Sequence, residues 1–150
     1  MITESNKTRK LNVGGDVMEI ITPSENWEPK TKNRFIVYYG DLPKYAINRT
    51  DLPSLETNRL GRHWKNIHME LYDPICPSAS QGVQKLFEAD DKEVIDAKIA
   101  LIGPLGETVS EWMLYNVKIV TADFGTLDWS DSTANIIKLE VKYDYAHLEF

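Results

Sequence analysis

The sequence predicts a mainly β (α+β) fold, an antiparallel β-sandwich or barrel with one amphipathic helix, and three observations point to it. Apolar and polar residues alternate over several separate runs, most clearly Ile137, Leu139, Val141, Tyr143 and Tyr145 against Lys138, Glu140, Lys142 and Asp144. Gly- and Pro-rich turn signals close such runs, as at Gly40-Asp41-Leu42-Pro43 and Gly103-Pro104-Leu105-Gly106. One stretch alone, after Ser78, has helical periodicity. Strands with one inserted helix describe a layered β structure, not a doubly wound sheet.

Residues 1–33 mix Thr, Asn, Lys and Glu around a Gly14-Gly15 break and prolines 23 and 29. They read as an N-terminal arm, partly extended, with at most one short strand at Val17 to Ile21. The main domain, residues 34–150, opens with Phe35 to Tyr39, a β-branched and aromatic run expected to be a buried strand. Lys44 to Arg62 is irregular around Asp51-Leu52-Pro53-Ser54, and nineteen residues is long for a loop in a compact domain. From Trp64 to Tyr72, Ile67, Met69 and Leu71 point one way and Asn66, His68 and Glu70 the other, as in a half-buried strand.

Asp73-Pro74 and Pro77 end that strand. Ser78 and Gln81 then form a capping box for a helix reaching Ala89, with Ala79, Val83, Leu86 and Phe87 on one stripe. Gly82 costs about 1 kcal/mol there relative to Ala, so burial of the stripe, against its own sheet or a neighbouring subunit, must hold the helix. Ile95, Ala97, Ile99 and Leu101 alternate into the turn at 103–106, which makes a hairpin. In its second strand Trp112 and Leu114 share one parity and Val117, Ile119 and Thr121 the other, which predicts a β-bulge near Tyr115-Asn116. A loop from Asp123 to Thr133 leads to the last strand.

The 150 residues suit one ordinary domain, and 42% apolar content is enough for a core. No run approaches the eighteen or so apolar residues of a membrane span. The start, MITESNKTRK, lacks the apolar run of a signal peptide, so a cytoplasmic origin is expected. The net charge is -6, and residues 1–34 hold six basic and five acidic side chains, so the body carries the negative excess. That balance argues against gripping nucleic acid, which demands a Lys/Arg surplus on one face.

The residues offer little to a catalyst. His63 and His68, five apart, fall outside metal-ligand helix spacing and on a strand point to opposite faces. Cys76 is the single cysteine, has no His base placed beside it by any motif, and reads as an inert, buried thiol. The acidic run Glu88, Asp90, Asp91, Glu93 and Asp96 lacks the glycine and alternate oxygens of a Ca²⁺ loop and reads as a solvated helix end. Neither an enzyme nor a cofactor is expected. Trp27, Trp64, Trp112 and Trp129 leave open a monomeric β-sandwich with an aromatic ligand platform.

The C-terminal half is more specific than its composition. Leu101-Ile102-Gly103-Pro104-Leu105-Gly106-Glu107, Ser110-Glu111-Trp112, Ala122-Asp123-Phe124-Gly125-Thr126-Leu127-Asp128-Trp129 and the strand from Leu139 into Tyr143-Asp144-Tyr145-Ala146 follow in order. With the strand into Leu42-Pro43, Asp51-Leu52-Pro53-Ser54-Leu55 and Trp64 through Tyr72-Asp73-Pro74, the sequence from about Arg34 onward resembles the tail tube protein of contractile-tailed bacteriophages. The arm has no counterpart in that pattern.

The resemblance implies a structural subunit: six copies close a ring whose strands form one inner β-barrel, and rings stack into a tube that conducts DNA. It implies as partners further copies of the chain, the sheath, baseplate and tail terminator proteins, with the tape measure protein and DNA passing through the bore without specific binding. No membrane is involved, and the location implied is the virion tail, assembled in the host cytoplasm. A baseplate tube initiator or the tube of a related contractile injection system shares the fold. On this reading the candidate bore-lining residues are Asn66, His68 and Glu70 on one strand and Lys138, Glu140, Lys142 and Asp144 on another, with Lys138 and Lys142 available to pair with Glu140 and Asp144. Strand parity gives two faces without saying which turns inward. The candidate subunit interface is Val83, Leu86 and Phe87, and the candidate inter-ring loop carries Tyr45, Arg49, Asp51, Leu52, Glu56 and Arg59. At -6 per chain a six-membered ring carries -36, so an acidic or near-neutral bore is expected, with Glu107 and Glu111 adding repulsion.

Overall fold

In the computed structural model, which describes residues 9–13, 16–20, 27–89 and 92–150, the chain divides into two units, Met1–Thr31 and Lys32–Phe150. The first contains an antiparallel hairpin of β1 (Arg9–Val13) and β2 (Asp16–Ile20), with Leu11 opposite Met18. Two strands thus stand where the sequence predicts at most one. The Gly14-Gly15 break and Asp90-Asp91 of the acidic run lie outside the described residues.

In the second unit the order is β3 (Phe35–Tyr39), β4 (Ile47–Thr50), β5 (Leu55–Asn58), β6 (Gly61–Trp64), β7 (Ile67–Tyr72), α1 (Ala79–Glu88), β8 (Ala97–Ile102), β9 (Thr108–Tyr115), β10 (Lys118–Asp123), β11 (Ile136–Lys142) and β12 (Tyr145–Leu148). One sheet has the order β10-β11-β7-β4, a second β12-β9-β8-β3, and β5 pairs with β6 as a separate hairpin. All pairs are antiparallel. The alternating runs supply the core between the sheets: Ile67, Met69 and Leu71 from β7, Ile137, Leu139 and Val141 from β11, Val37 and Tyr39 from β3, with Ile99 and Leu114. This is the antiparallel sandwich with one helix that the alternation predicts.

Several local expectations are corrected. The parity change after Trp112 is not a bulge within one strand but the passage from β9 in one sheet to β10 in the other. Asn116 makes the corner at φ 53°, a left-handed conformation that Asn tolerates better than most residues. Its N–H donates to Asp96 Oδ1 at 2.9 Å and its Nδ2 to Asp144 Oδ2 at 2.7 Å. Asp144 lies in the second such passage, from β11 to β12, so one hydrogen bond ties the two crossings together. Because that passage changes sheets, Tyr145 leaves the inward series and is 50% exposed, while Ala146 takes the buried place. Register shifts do occur, but between Ile119 and Thr121, Leu101 and Ile102, and Ile47 and Arg49.

The stretch from Lys44 to Arg62 is not a structureless loop: it holds β4, β5 and the start of β6, and Trp64 ends β6 instead of opening β7. One face of the sheet that holds β3 is covered and the other open, so Val37 and Tyr39 are buried while Tyr38 stays open. Ser78 caps α1, but its Oγ accepts from Gln81 N–H at a long 3.4 Å. Gly82 has a reason to sit in the helix: a Cβ there would come within 2.8 Å of Leu42 Cδ2, which packs beneath it.

Candidate functional site

The outer face of the β10-β11-β7-β4 sheet gathers most of the residues that parity singled out. β7 and β11 are direct neighbours, with Lys138 opposite Glu70 and Glu140 opposite His68. Asn66 Nδ2 donates to Glu140 Oε2 at 2.9 Å, and His68 sits between Asp51 Oδ2 at 3.5 Å and Glu140 Oε1 at 3.8 Å. Arg49 Nη1 lies 3.7 Å from Glu70 Oε2. The pairing differs from the one expected: Glu140 takes Asn66 and Asp144 takes Asn116, not the two lysines. Asp144 also departs from the group, because it sits at the crossing beyond β11. Lys142 is opposite Lys118, a like-charge pair. Counting Arg49, Lys118, Lys138 and Lys142 against Asp51, Glu70, Asp123 and Glu140, the strands and Asp51 contribute four basic and four acidic residues, and the loop after β10 brings Asp128 and Asp131 to a cavity that Glu70, Asp123 and Lys138 also line. The strands of this face are a charge-balanced mosaic, unlike the chain as a whole.

Two of the candidate loop residues belong to this face. Arg49 lies on β4 beside Glu70, and Asp51 accepts the His68 N–H at 3.1 Å, so both are held by β7. Glu56 is on β5 facing His63 at 2.8 Å, and Arg59 is at the tip of the β5-β6 hairpin. Tyr45 and Leu52 are exposed.

The helix candidates separate. Val83 and Leu86 are buried within their own chain. Phe87 is 47% exposed: α1 touches β10, an edge strand beyond which no further strand pairs among the described residues. Phe87, Gln84, Ala122 and Phe124 frame a shallow cavity there.

Asp73 is a residue that sequence reasoning missed as a contributor. It accepts the Ala79 N–H at 2.8 Å, the Ser80 N–H at 3.2 Å and the hydroxyls of Ser80 and Ser78. These hydrogen bonds, the Ser80 hydroxyl first, hold its carboxyl below the usual carboxylate range. Asp128 and Asp131 are also held low, each within its own turn, by the backbone N–H and then the hydroxyl of Ser130 and Thr133 respectively. Among the described residues no three His, Cys, Asp or Glu gather to hold a metal ion. Cys76 is exposed, not buried, since it lies in the turn before the helix. The tryptophans do not share a platform: Trp64 packs on Tyr143 and Tyr145 with centroids 5.9 and 6.3 Å away, while Trp112 packs on the core and Trp129 projects from a loop.

The site is thus a polar sheet face on a two-sheet body, and both edges of that sheet are unpaired among the described residues. The fold of the chain is that of chains in contractile injection systems. It is similar to a chain of the PVC sheath–tube complex, an extracellular contractile injection system in its extended state (TM-score 0.61, 16% identity, 82% of this chain and 93% of that one). It is similar also to a chain of the tube-terminating cap of the anti-feeding prophage (0.61, 15%, 85% and 95%). Hcp1 from Flavobacterium johnsoniae is a third (0.55, 11%, 77% and 94%). No family model and no curated protein matches the sequence. The tail tube resemblance read from the sequence and the fold agree.

Proposed function

We propose that this chain is the tube subunit of a contractile tail, with six copies closing their β10-β11-β7-β4 sheets into one barrel and rings stacking into a tube. The observation that carries the reading is a four-stranded sheet with both edges unpaired among the described residues, a polar balanced outer face and an apolar inner one. An open sheet edge is a template for association, and closure between copies removes it. Six such sheets give twenty-four strands. At about 4.8 Å per strand the circumference is about 115 Å and the barrel about 37 Å across, or about 48 Å at a strand tilt of about 40°. Less about 5 Å of side chain on each wall, the bore is roughly 27 to 38 Å wide, against about 30 Å for a small folded domain.

The bore lining in this reading is Asn66, His68, Glu70, Lys138, Glu140 and Lys142, and its cancelling charges neither grip nor strongly repel a phosphate backbone. That suits a phage tail tube ejecting DNA past a tape measure protein, with sheath outside and baseplate and terminator at the ends, assembled in the host cytoplasm into a virion. A second reading, the tube of an extracellular injection system that delivers protein, is favoured by the PVC and anti-feeding prophage likenesses. In both the subunit is structural and performs no catalysis. Native mass spectrometry with negative-stain microscopy of the purified chain tests the proposal: hexamers and hollow rods are expected, and a protein that stays monomeric at every concentration and salt refutes it.

A further inference from the structure

Resting on the tube reading, we infer that the seam between neighbouring copies pairs β4 of one with β10 of the next, antiparallel, in a register that sets Tyr45 against Phe124 and Asp51 against Lys118. The direction follows from strand count. Four antiparallel strands leave the two edges running oppositely, and rotation about a ring axis preserves each direction, so β4 meets the neighbour's β10 antiparallel. The start of β4 therefore lies beside the end of β10.

What stands at those two places is complementary. Just before β4, Tyr45 is 73% exposed, with the Lys44 ammonium 5.1 Å from its ring centroid. Just after β10, Phe124 is 43% exposed and borders the cavity of about 520 Å³ that Phe87 and Ala122 also line. An aromatic side chain seated there extends the cover that α1 leaves unfinished. At the other end of the seam Lys118 faces Lys142 across the strand pair, an arrangement that calls for a negative partner. Asp51, just beyond β4, accepts the His68 N–H through Oδ2 at 3.1 Å, and its side chain is still 56% exposed.

One register satisfies both ends, since Tyr45 to Asp51 and Lys118 to Phe124 are each six residues apart. Each stretch also carries one register shift, between Ile47 and Arg49 and between Ile119 and Thr121, so each has one extra residue, Asn48 and Val120, which fall one position apart in this register. The occupant of the Phe87–Phe124 cavity is thus a second copy of this chain.

Cysteine crosslinking in a Cys76→Ser background tests the seam. Within one chain β4 and β10 are three strand spacings apart, about 14 Å, beyond the roughly 7 Å reach of a disulfide. Any bond is therefore between copies. Tyr45→Cys with Phe124→Cys, and separately Asp51→Cys with Lys118→Cys, should each give on oxidation a ladder of covalent oligomers ending at the hexamer, while Tyr45→Cys with Lys118→Cys should give none. Rings that form by native mass spectrometry yet fail to crosslink at the first two pairs overturn the seam and leave the tube reading standing. So do rings that crosslink through the third pair. Absence of rings from the Cys76→Ser parent and the unmodified chain alike overturns both.

Discussion

Replacing Asp73 with alanine should destabilise the body more than removing the helix cap that the sequence advertises. Ser78 is the N-cap, but its contact to the Gln81 N–H is 3.4 Å long and belongs at the weak end of capping, about 0.5 kcal/mol. Asp73 supplies a charged acceptor to two of the helix-start N–H groups, at 2.8 and 3.2 Å, and to two hydroxyls. Capping of that kind plus a negative charge at the positive end of the helix is worth about 1 to 2 kcal/mol. In urea, at about 2 kcal/mol per molar, Asp73→Ala should lower the midpoint by about 0.5 to 1 M and Ser78→Ala by about a quarter of a molar. The difference should depend on acid. A carboxyl whose folded-state pKa lies below its ordinary 3.8 adds stability that is fully present above that value and lost as pH falls through the folded one. The gap between wild type and Asp73→Ala should therefore be constant from neutrality to about pH 5 and shrink in stronger acid. A Ser78→Ala loss equal to or larger than the Asp73→Ala loss, or a gap that widens in acid, would refute the assignment.

Phe87→Asp should leave the far-ultraviolet circular dichroism of the body intact and abolish rods in negative stain, whereas Val83→Asp should unfold it, since position 83 has no solvent access and the substitution places a carboxylate in the apolar core. Equal loss of fold in the two variants counts against placing Phe87 at a seam. Leu139→Ala, in the middle of β11, should cost about 2 to 5 kcal/mol in chemical denaturation, and a loss under about 1 kcal/mol contradicts its packing between the sheets. Deleting residues 1–30 should leave hexamers while shortening and weakening rods if, as the tube reading has it, the strands of the body are committed to the ring and the N-terminal arm serves stacking. Truncated rods as long and as salt-resistant as the full chain's remove the arm from stacking.

Strands that bury one face were legible because burial writes a period of two into the sequence, as in Ile67-Met69-Leu71 and Ile137-Leu139-Val141. β5 was not, since all four of its residues are exposed and no apolar series marks it. The corner at Asn116 was seen as a parity change, but a bulge and a change of sheet leave the same trace in parity, and only the pairing distinguishes them. Tyr145 continues the alternation of β11 in sequence yet belongs to another sheet, so local periodicity misplaced it. Phe87 falls on the helix stripe by angle, but how far a neighbour covers that angle depends on which strand ends the sheet. The polar residues of the candidate face could be read strand by strand; that β7 and β11 lie side by side rests on pairing between segments more than sixty residues apart, and that Arg49 and Asp51 join them rests on the pairing of β4 with β7. Asp73 left a trace only in retrospect, an acidic residue shortly ahead of a Ser-Ala-Ser helix start.

A cryo-microscopy map of rods assembled from the purified chain tests the central claim most directly. The account predicts a sixfold ring whose continuous inner barrel is built from β10, β11, β7 and β4 of every copy, with Asn66, His68, Glu70, Lys138, Glu140 and Lys142 facing the bore in a near-neutral mosaic. A bore lined instead by the β12-β9-β8-β3 sheet, or one that is strongly basic, would contradict it.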